Sequence, residues 1–296
     1  MSRHGPGSIG GVLHAAAASL AAIGIETPRL DCRVLMAHVL GCDHAWLIGH
    51  ADEPLLSASA MEFAALLERR RNHEPIAYLT GHREFWSLSF QVTPDTLIPR
   101  PDSETLIETG LTLMGKHGNG ARLLDLGTGS GCLLLALLHE LPSAIGIGLD
   151  DNPRALNIAG NNAAALGLSE RASFVAGSWR EERLFAEAGR FELVLSNPPY
   201  IRNADMDTLA PDILRYEPEM ALRAGDDGLD AYRCIARHLP SLLKPGGYFI
   251  GEFGDGQSKA VAELLMAHGL SVDGFRNDAT GRERCVVVRN GGSRPA

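Results

Sequence analysis

The stretch Leu123-Leu124-Asp125-Leu126-Gly127-Thr128-Gly129-Ser130-Gly131 predicts how the larger part of the chain folds. Its first four residues have the apolar character of a short buried strand, and residues 132–139 after it have a helical pattern. Glycines at such a junction allow a tight turn and a close approach of a ligand to the backbone, and the helix start offers unpaired N–H groups. The sequence therefore predicts a strand–loop–helix unit that binds a ligand.

The next apolar run, residues 145–149, ends in an acidic residue, Asp150. A carboxylate at the tip of a second strand is placed to accept hydrogen bonds from ribose hydroxyls, and Asp151 is the less favoured choice. A nicotinamide-dinucleotide site is the first alternative, but its fingerprint has the spacing Gly-x-Gly-x-x-Gly. The spacing here is Gly-x-Gly-x-Gly, which argues against that site.

A second motif, Asn197-Pro198-Pro199-Tyr200, follows the apolar run 191–195. The two prolines fix the backbone and donate no N–H, and Pro198 restricts Asn197 to extended conformations. A strand that ends in this way is suited to hold a planar amino group. Asn-Pro-Pro can also simply end a strand and begin a loop, and the glycine loop upstream is what favours the functional interpretation.

The form of the glycine loop resembles the S-adenosylmethionine loop of class I methyltransferases. Further stretches are similar to one family, the peptide chain release factor N5-glutamine methyltransferases, which methylate the glutamine of a Gly-Gly-Gln tripeptide. These stretches are residues 75–81, 84–86, 96–104, 197–200 and 281–284. The most specific is Pro-Arg-Pro-x-x-Glu at 99–104. Ser103 and Ser130 depart conservatively from the family, which has threonine at both positions.

The resemblance implies an α/β fold with a seven-stranded, mainly parallel class I methyltransferase sheet and a small N-terminal helical bundle. Alternating strands and helices from residue 99 on predict a mainly parallel sheet independently. Strand cores are expected at 123–126, 145–149, 174–176, 193–195, 248–250 and 286–288, and the resemblance implies that the strand at 285–288 is inserted antiparallel. We expect a helical substrate-recognition domain at 1–84, a hairpin linker at 85–98 and the methyltransferase domain at 99–296.

The resemblance also implies the residues of the site. S-adenosylmethionine, with S-adenosylhomocysteine as product, is expected at Gly127, Thr128, Gly129, Ser130, Gly131, Asp150, Trp179 and Asn197. The substrate glutamine is expected at Asn197, Pro198, Pro199 and Tyr200, of which Asn197, Pro198 and Tyr200 are expected to be catalytic. Arg100 and Glu104 are further candidates to order the cofactor's carboxylate side or the substrate loop. Asp102 and Ser103 are expected to cap the helix that follows, and a core position is the alternative for Trp179.

An amide nitrogen is a poor nucleophile, so we expect geometry to supply most of the catalysis. The side-chain oxygen of Asn197 and the carbonyl of Pro198 are expected to accept the two N–H bonds of the target amide, and the Tyr200 ring is expected to pack on its plane. A carboxylate in the same place has no hydrogen to donate to the oxygens of Asn197 and Pro198, which would stay unpaired. We therefore expect the site to reject glutamate. Neither a general base nor a metal ion is required.

Several other segments carry weaker predictions. Pro28 suits the first turn of a helix, and residues 15–22, after Arg3 and His4, favour a helix over a secretion signal. The cluster 69–71 of three arginines is expected to be a solvated face. Residues 201–227, which are rich in acidic side chains, are typical of a functional lid or a disordered loop, and 216–218 and 225–228 resemble family positions at the mouth of the site.

Composition limits the other function classes. The net charge of −9 opposes stable binding to a phosphate backbone, and no apolar run is long enough for a membrane span. The five cysteines form no Cys-x-x-Cys pair, which favours a reducing, cytoplasmic location. The expected partner is a class-1 peptide chain release factor. The alternatives are an amino-methyltransferase of adenine or cytosine in DNA or RNA, which would need a basic groove and base flipping, and a cofactor-sensing protein without catalysis.

Overall fold

The computed structural model describes residues 5–115, 120–181 and 189–291. The chain forms two compact units. The first runs up to His82 and includes the later segment Ala210–Tyr216, and the second comprises Arg83–Leu209 and the residues from Glu217 on.

The first unit is helical. Its helices are Ile9–Ala21, Pro28–Leu40, His44–Gly49, Ser57–Arg71 and Ile76–Thr80, with the short helix Pro211–Tyr216. Pro28 occupies the first turn of its helix, as predicted, and most of 15–22 lies in the first helix; Arg3 and His4 lie outside the described residues. A core that includes Leu20, Leu35 and Phe63 is buried among these helices. None of the helices in the described ranges is long and apolar enough to cross a membrane.

The prediction of a solvated arginine cluster is wrong for Arg70. Its side chain is only 10% exposed, and its Nε donates to Asp31 Oδ2 at 2.7 Å. Asp31 is itself buried on the helix Pro28–Leu40. The helix Ser57–Arg71 therefore turns Arg70 toward a neighbouring helix, while Arg69 and Arg71 form exposed pairs with acidic side chains nearby.

The second unit begins with a hairpin and contains a seven-stranded sheet. The hairpin strands are β1 (His82–Phe85) and β2 (Leu88–Gln91). The sheet strands are β3 (Arg122–Leu126), β4 (Ile145–Asp150), β5 (Ala172–Ala176), β6 (Phe191–Ser196), β7 (Leu243–Glu252), β8 (Ser271–Asn277) and β9 (Glu283–Arg289). The helices are Glu104–Met114, Cys132–Glu140, Pro153–Ala165, Asp230–Leu242 and Ser258–Ala267.

The order of the strands is β5-β4-β3-β6-β7-β9-β8. β9 lies antiparallel between β7 and β8, and the described pairings among the five strands β5, β4, β3, β6 and β7 are parallel. This arrangement confirms the expected fold class. The sequence did not locate β8. This strand lies at the edge of the sheet and is largely exposed, so it lacks the apolar run by which the central strands were found.

The register of the parallel strands places the predicted motifs together. Leu126 pairs with Leu149 on one side and with Ser196 on the other, so β3, β4 and β6 end at one edge of the sheet. The glycine loop follows β3, Asp150 is the last residue of β4, and Asn197 follows β6. Ligands of open parallel sheets bind at this carboxyl edge.

Residues 201–227 are built from short helical segments at Asn203–Thr208, Pro211–Tyr216 and Glu219–Ala221. Ile201 forms a bridge with Arg223, which closes this segment at its base. In the first unit, the Tyr216 hydroxyl donates to the carbonyl of Asn72 at 2.9 Å. The segment is thus folded, and the alternative of a disordered loop is not what the structure shows.

Candidate active site

A cavity of about 580 Å³ opens at the carboxyl edge of β3, β4 and β6. The predicted residues that line it are Arg100, Gly127, Thr128, Gly129, Ser130, Asp150, Trp179, Asn197 and Pro199. The predicted residues that do not line it are Glu104, Gly131, Pro198 and Tyr200. The two motifs found in the sequence therefore meet at one cavity, and some of the predicted residues lie outside its lining.

The glycine loop needs glycine for its backbone and for space. Gly127, Gly129 and Gly131 have φ values of 75°, 54° and 81°, in the left-handed region. A Cβ on Gly127 would lie 2.8 Å from Cζ3 of Trp179, whose ring also packs against the core. A Cβ on Gly131 would press on Leu135 instead. Gly131 therefore serves the packing of the following helix, and its predicted contact with a cofactor is not supported by its position.

Asp150 is held in place by backbone donors. Its Oδ2 accepts from the Gly129 N–H at 2.8 Å, and its Oδ1 accepts from the Asn152 N–H at 2.9 Å. Burial raises the pKa of this carboxyl above its usual range. Each oxygen keeps a lone pair for a further donor, so Asp150 can also accept from the hydroxyls of a ligand. Asp151, the less favoured candidate, is exposed.

Two buried polar atoms near the glycine loop have no hydrogen-bond partner within the described ranges, namely Asp125 Oδ1 and Ser130 Oγ. The other carboxylate oxygen of Asp125 accepts from the Thr128 hydroxyl at 2.7 Å. Burial raises the pKa of Asp125 to about 7. Buried polar atoms are normally satisfied, so these two atoms indicate polar space beside the loop that a ligand or water would fill.

Asn197 is the first of three side chains joined by hydrogen bonds, of which Asn197 and Ser103 line the cavity. Its Nδ2 donates to Ser103 Oγ at 3.1 Å, and the Ser103 hydroxyl donates to Glu252 Oε2 at 2.5 Å. Glu252 is 1% exposed, and burial raises its pKa to about 7. The expected capping roles are therefore wrong: Ser103 bonds across to β7, and Asp102 pairs with Arg284 at 3.1 Å.

Tyr200 lies behind the wall rather than in the cavity. Its hydroxyl donates to Glu252 Oε1 at 3.2 Å, and burial raises the pKa of this phenol well above its usual value. Both prolines of the motif are buried, and of the two only Pro199 lines the cavity. The expected packing of the Tyr200 ring on a substrate amide does not follow from this position.

Arg100 and Glu104 have different environments. Arg100 lines the cavity and forms an ion pair with Glu217, which also accepts from the Ile98 N–H at 3.2 Å. Glu104 accepts from the backbone N–H of Trp86 at 3.0 Å and stays outside the cavity. Glu104 therefore holds the hairpin, and its role at the site stays a prediction that its position outside the cavity does not support.

Comparison with known proteins covers both units. The chain matches the family model described as PrmC N-terminal domain over residues 11–81 and the one described as Methyltransferase domain over residues 117–274. The release factor glutamine methyltransferase of Rhodospirillum rubrum is 44% identical over 97% of this chain and 86% of its own length. That of Cereibacter sphaeroides is 44% identical over 94% of this chain and 96% of its own length.

The chain belongs to the release factor glutamine methyltransferase family. This confirms the resemblance read from residues 99–104 and 197–200. The methyltransferase fold is also that of a solved methyltransferase from Pyrococcus furiosus, with a TM-score of 0.51 at 15% identity over 77% of this chain and 98% of the other. At that identity the likeness concerns the fold alone.

Sequence reasoning missed two carboxylates, Glu252 and Glu217, that form hydrogen bonds with residues lining the cavity. Glu252 ends the apolar run of β7 just as Asp150 ends that of β4, so the same signal was available for both. Glu217 lies in the stretch 216–218 that resembles family positions, but its role was not assigned. Its bonds to Arg100 and to Ile98 N–H depend on residues more than a hundred positions earlier, which local sequence does not reveal.

Proposed function

We propose that this protein transfers a methyl group from S-adenosylmethionine to the side-chain amide nitrogen, N5, of the glutamine in the Gly-Gly-Gln motif of class-1 peptide chain release factors. The observation that carries the proposal is the position of Asn197 in the cavity wall, with Nδ2 held by Ser103. In a family whose members are named for glutamine methylation, this leaves the Asn197 oxygen to accept from a substrate amide.

The residues around the glycine loop fit S-adenosylmethionine. Asp150 offers carboxylate lone pairs for ribose hydroxyls, and the absence of a side chain on Gly127 lets the Trp179 ring lie against the loop. Ser130 Oγ, which has no partner among the described residues, offers a polar contact. When bound, the cofactor supplies a methyl group on a positively charged sulfur. Burial raises the pKa of Asp150 and of Asp125, and a positively charged ligand beside them would favour their ionised forms.

The chain's own contribution is to orient the substrate amide. Asn197 Oδ1 accepts one N–H of the glutamine, and we assign the other N–H to the Pro198 carbonyl, although Pro198 itself does not line the cavity. Fixing the nitrogen in line with the methyl group is worth on the order of 7–11 kcal/mol when the alignment is complete. Acceptors on the two N–H bonds also stabilise the positive charge that develops on nitrogen.

The same acceptors set the specificity for an amide. A glutamate carboxylate has no hydrogen to give them, so it would leave each buried acceptor unpaired at about 1–3 kcal/mol. We assign Tyr200 to hold Glu252, with which it shares a hydrogen bond, rather than to stack on the amide.

The first unit is the candidate for gripping the body of the protein substrate, in keeping with a division into residues 1–84, the hairpin linker 85–98 and the catalytic part 99–296. The proposed reaction belongs to translation termination. The five cysteines are free thiols, which supports a reducing compartment such as the cytoplasm.

Transfer of labelled methyl from S-adenosylmethionine tests the proposal. The acceptors are an unmodified class-1 release factor, the same factor with the Gly-Gly-Gln glutamine changed to glutamate, and bulk DNA and RNA. We expect label on the first acceptor only. Label on nucleic acid and none on the release factor would overturn the proposal, and equal label on both release factors would show that another residue is modified.

A further inference from the structure

Three segments far apart in the chain meet at the wall of the cavity, which Asn197 and Ser103 line. Asn197 follows β6, Ser103 precedes the helix Glu104–Met114, and Glu252 ends β7. We propose that Ser103 and Glu252 are positioning residues, which together determine the end of the Asn197 amide that faces the substrate. The proposal rests on the proposed function for its catalytic meaning, and it deepens that function by naming what orients the acceptor.

The direction of each hydrogen bond follows from the chemistry of the groups. An ionised Glu252 carboxylate can only accept, so the single hydroxyl hydrogen of Ser103 points at Glu252 Oε2, 2.5 Å away. Ser103 Oγ then has only lone pairs for Asn197, which must present its NH₂ end, at 3.1 Å. The carbonyl end of Asn197 is thereby turned to the cavity, where an acceptor is needed.

A protonated Glu252 would reverse this order. Its carboxyl hydrogen can donate to Ser103, whose own hydrogen is then free to donate to Asn197 Oδ1. The Asn197 amide would then present its NH₂ group to the cavity. Since the glutamine amide also presents N–H donors there, no hydrogen bond would form between them. Since burial raises the pKa of Glu252 to about 7, both states are accessible near neutral pH, and the productive one is lost as the pH falls through that value.

The titratable groups around Glu252 keep their protonation states near neutral pH. Tyr200 donates to its Oε1 and Tyr232 donates to its backbone carbonyl, and burial keeps the pKa of both phenols well above neutral. Arg284 faces Glu252 from β9 and is itself held by Asp102 and Asp278. Glu252 also interacts electrostatically with the thiols of Cys132 and Cys285. Burial raises the pKa of these thiols to about 12 and about 11, so both stay neutral near pH 7.

The substitutions Ser103→Ala, Ser103→Thr and Glu252→Gln test the proposal. Ser103→Ala removes the anchor, so kcat should fall on the order of tenfold, the loss of one hydrogen bond, with the KM for S-adenosylmethionine unchanged. Ser103→Thr keeps the hydroxyl, so its kcat should stay close to that of the wild type. Thr112→Ala, which removes an exposed hydroxyl from the next helix, is the matched control.

The pH profile separates positioning from a merely structural role. Wild-type kcat at saturating cofactor should rise through an acid limb near pH 7, and Glu252→Gln, which cannot titrate, should lose that limb. A limb that persists in Glu252→Gln belongs to another group, such as Asp125, and overturns the proposal. Glu263→Gln, an exposed carboxylate, is the control.

A readout that needs no activity keeps this inference separate from the proposed function. In ¹⁵N-labelled protein, the Asn197 side-chain amide resonance, assigned by its loss in Asn197→Ala, should shift with a midpoint near pH 7 in the wild type and stay fixed in Glu252→Gln. A resonance that does not move in the wild type from about pH 5 to about pH 9 contradicts the inference even if the enzyme is active. A moving resonance in a protein that methylates no Gly-Gly-Gln substrate would retain the inference and reject the function.

Discussion

Asn197 shows how much of the site depends on a single side chain. One end of its amide is engaged with Ser103, and the other borders a cavity that also contains the glycine loop and Asp150. Pro198 restricts the backbone of Asn197, which limits the directions in which the amide can point. The role that we propose for Asn197 therefore combines a restricted backbone, an amide orientation set by Ser103 and a position next to the glycine loop.

Replacing Asn197 by Ala should lower kcat by about two orders of magnitude or more, because an acceptor for the developing charge is lost. Binding of S-adenosylmethionine, measured by calorimetry, should change much less. Asn161→Ala is the matched control, since Asn161 is exposed and its amide donates to the side chain of Gln91, away from the cavity. Near-normal kcat in Asn197→Ala would remove Asn197 from the mechanism.

At the scale of elements, the glycine loop couples backbone conformation to the shape of the cavity. Gly127 has a φ of 75°, and the Trp179 ring occupies the space that a side chain would need. The loop lies at the end of β3, so any change in it moves both the cavity wall and the start of the next helix.

Gly127→Ala should weaken S-adenosylmethionine binding and displace the Trp179 ring, in addition to a backbone cost of about 1–2 kcal/mol. Gly167→Ala isolates that backbone cost, because Gly167 has a φ of 69° and no atom of the described residues lies within 4 Å of where its Cβ would be. Binding is measured by calorimetry, and stability by urea unfolding. Equal cofactor affinity in the two variants would show that the space beside Trp179 does not matter.

The helical unit depends on a buried ion pair between the helices Pro28–Leu40 and Ser57–Arg71. Arg70→Ala leaves the Asp31 carboxylate buried without its partner, so the free energy of unfolding should fall by about 3–5 kcal/mol. Arg71→Ala, which removes an exposed pair with Glu68, should cost less than about 1 kcal/mol. Urea unfolding followed by circular dichroism measures both, and equal losses would contradict the assigned burial of Arg70.

At the scale of the whole molecule, the sequence predicted those features that depend on neighbouring residues. Strand–helix alternation predicted the parallel sheet, and the glycine loop, Asp150 and Asn197 were found because each ends an apolar run. Features that depend on distant partners were missed. Ser103 looked like a helix cap because its actual partner, Glu252, lies 149 residues away, and Arg70 looked solvated because the sequence does not show the helix that covers it.

Mapping the methyl group on the product tests the central claim most directly. A class-1 release factor is incubated with S-adenosylmethionine and either the wild-type protein or Asn197→Ala, and fragment-ion mass spectrometry then locates the modification. We predict one added methyl group on the side-chain nitrogen of the Gly-Gly-Gln glutamine with the wild-type protein, and almost none with Asn197→Ala. A methyl group on another residue, or an unmodified glutamine after incubation with a wild-type protein that binds the cofactor, would contradict it.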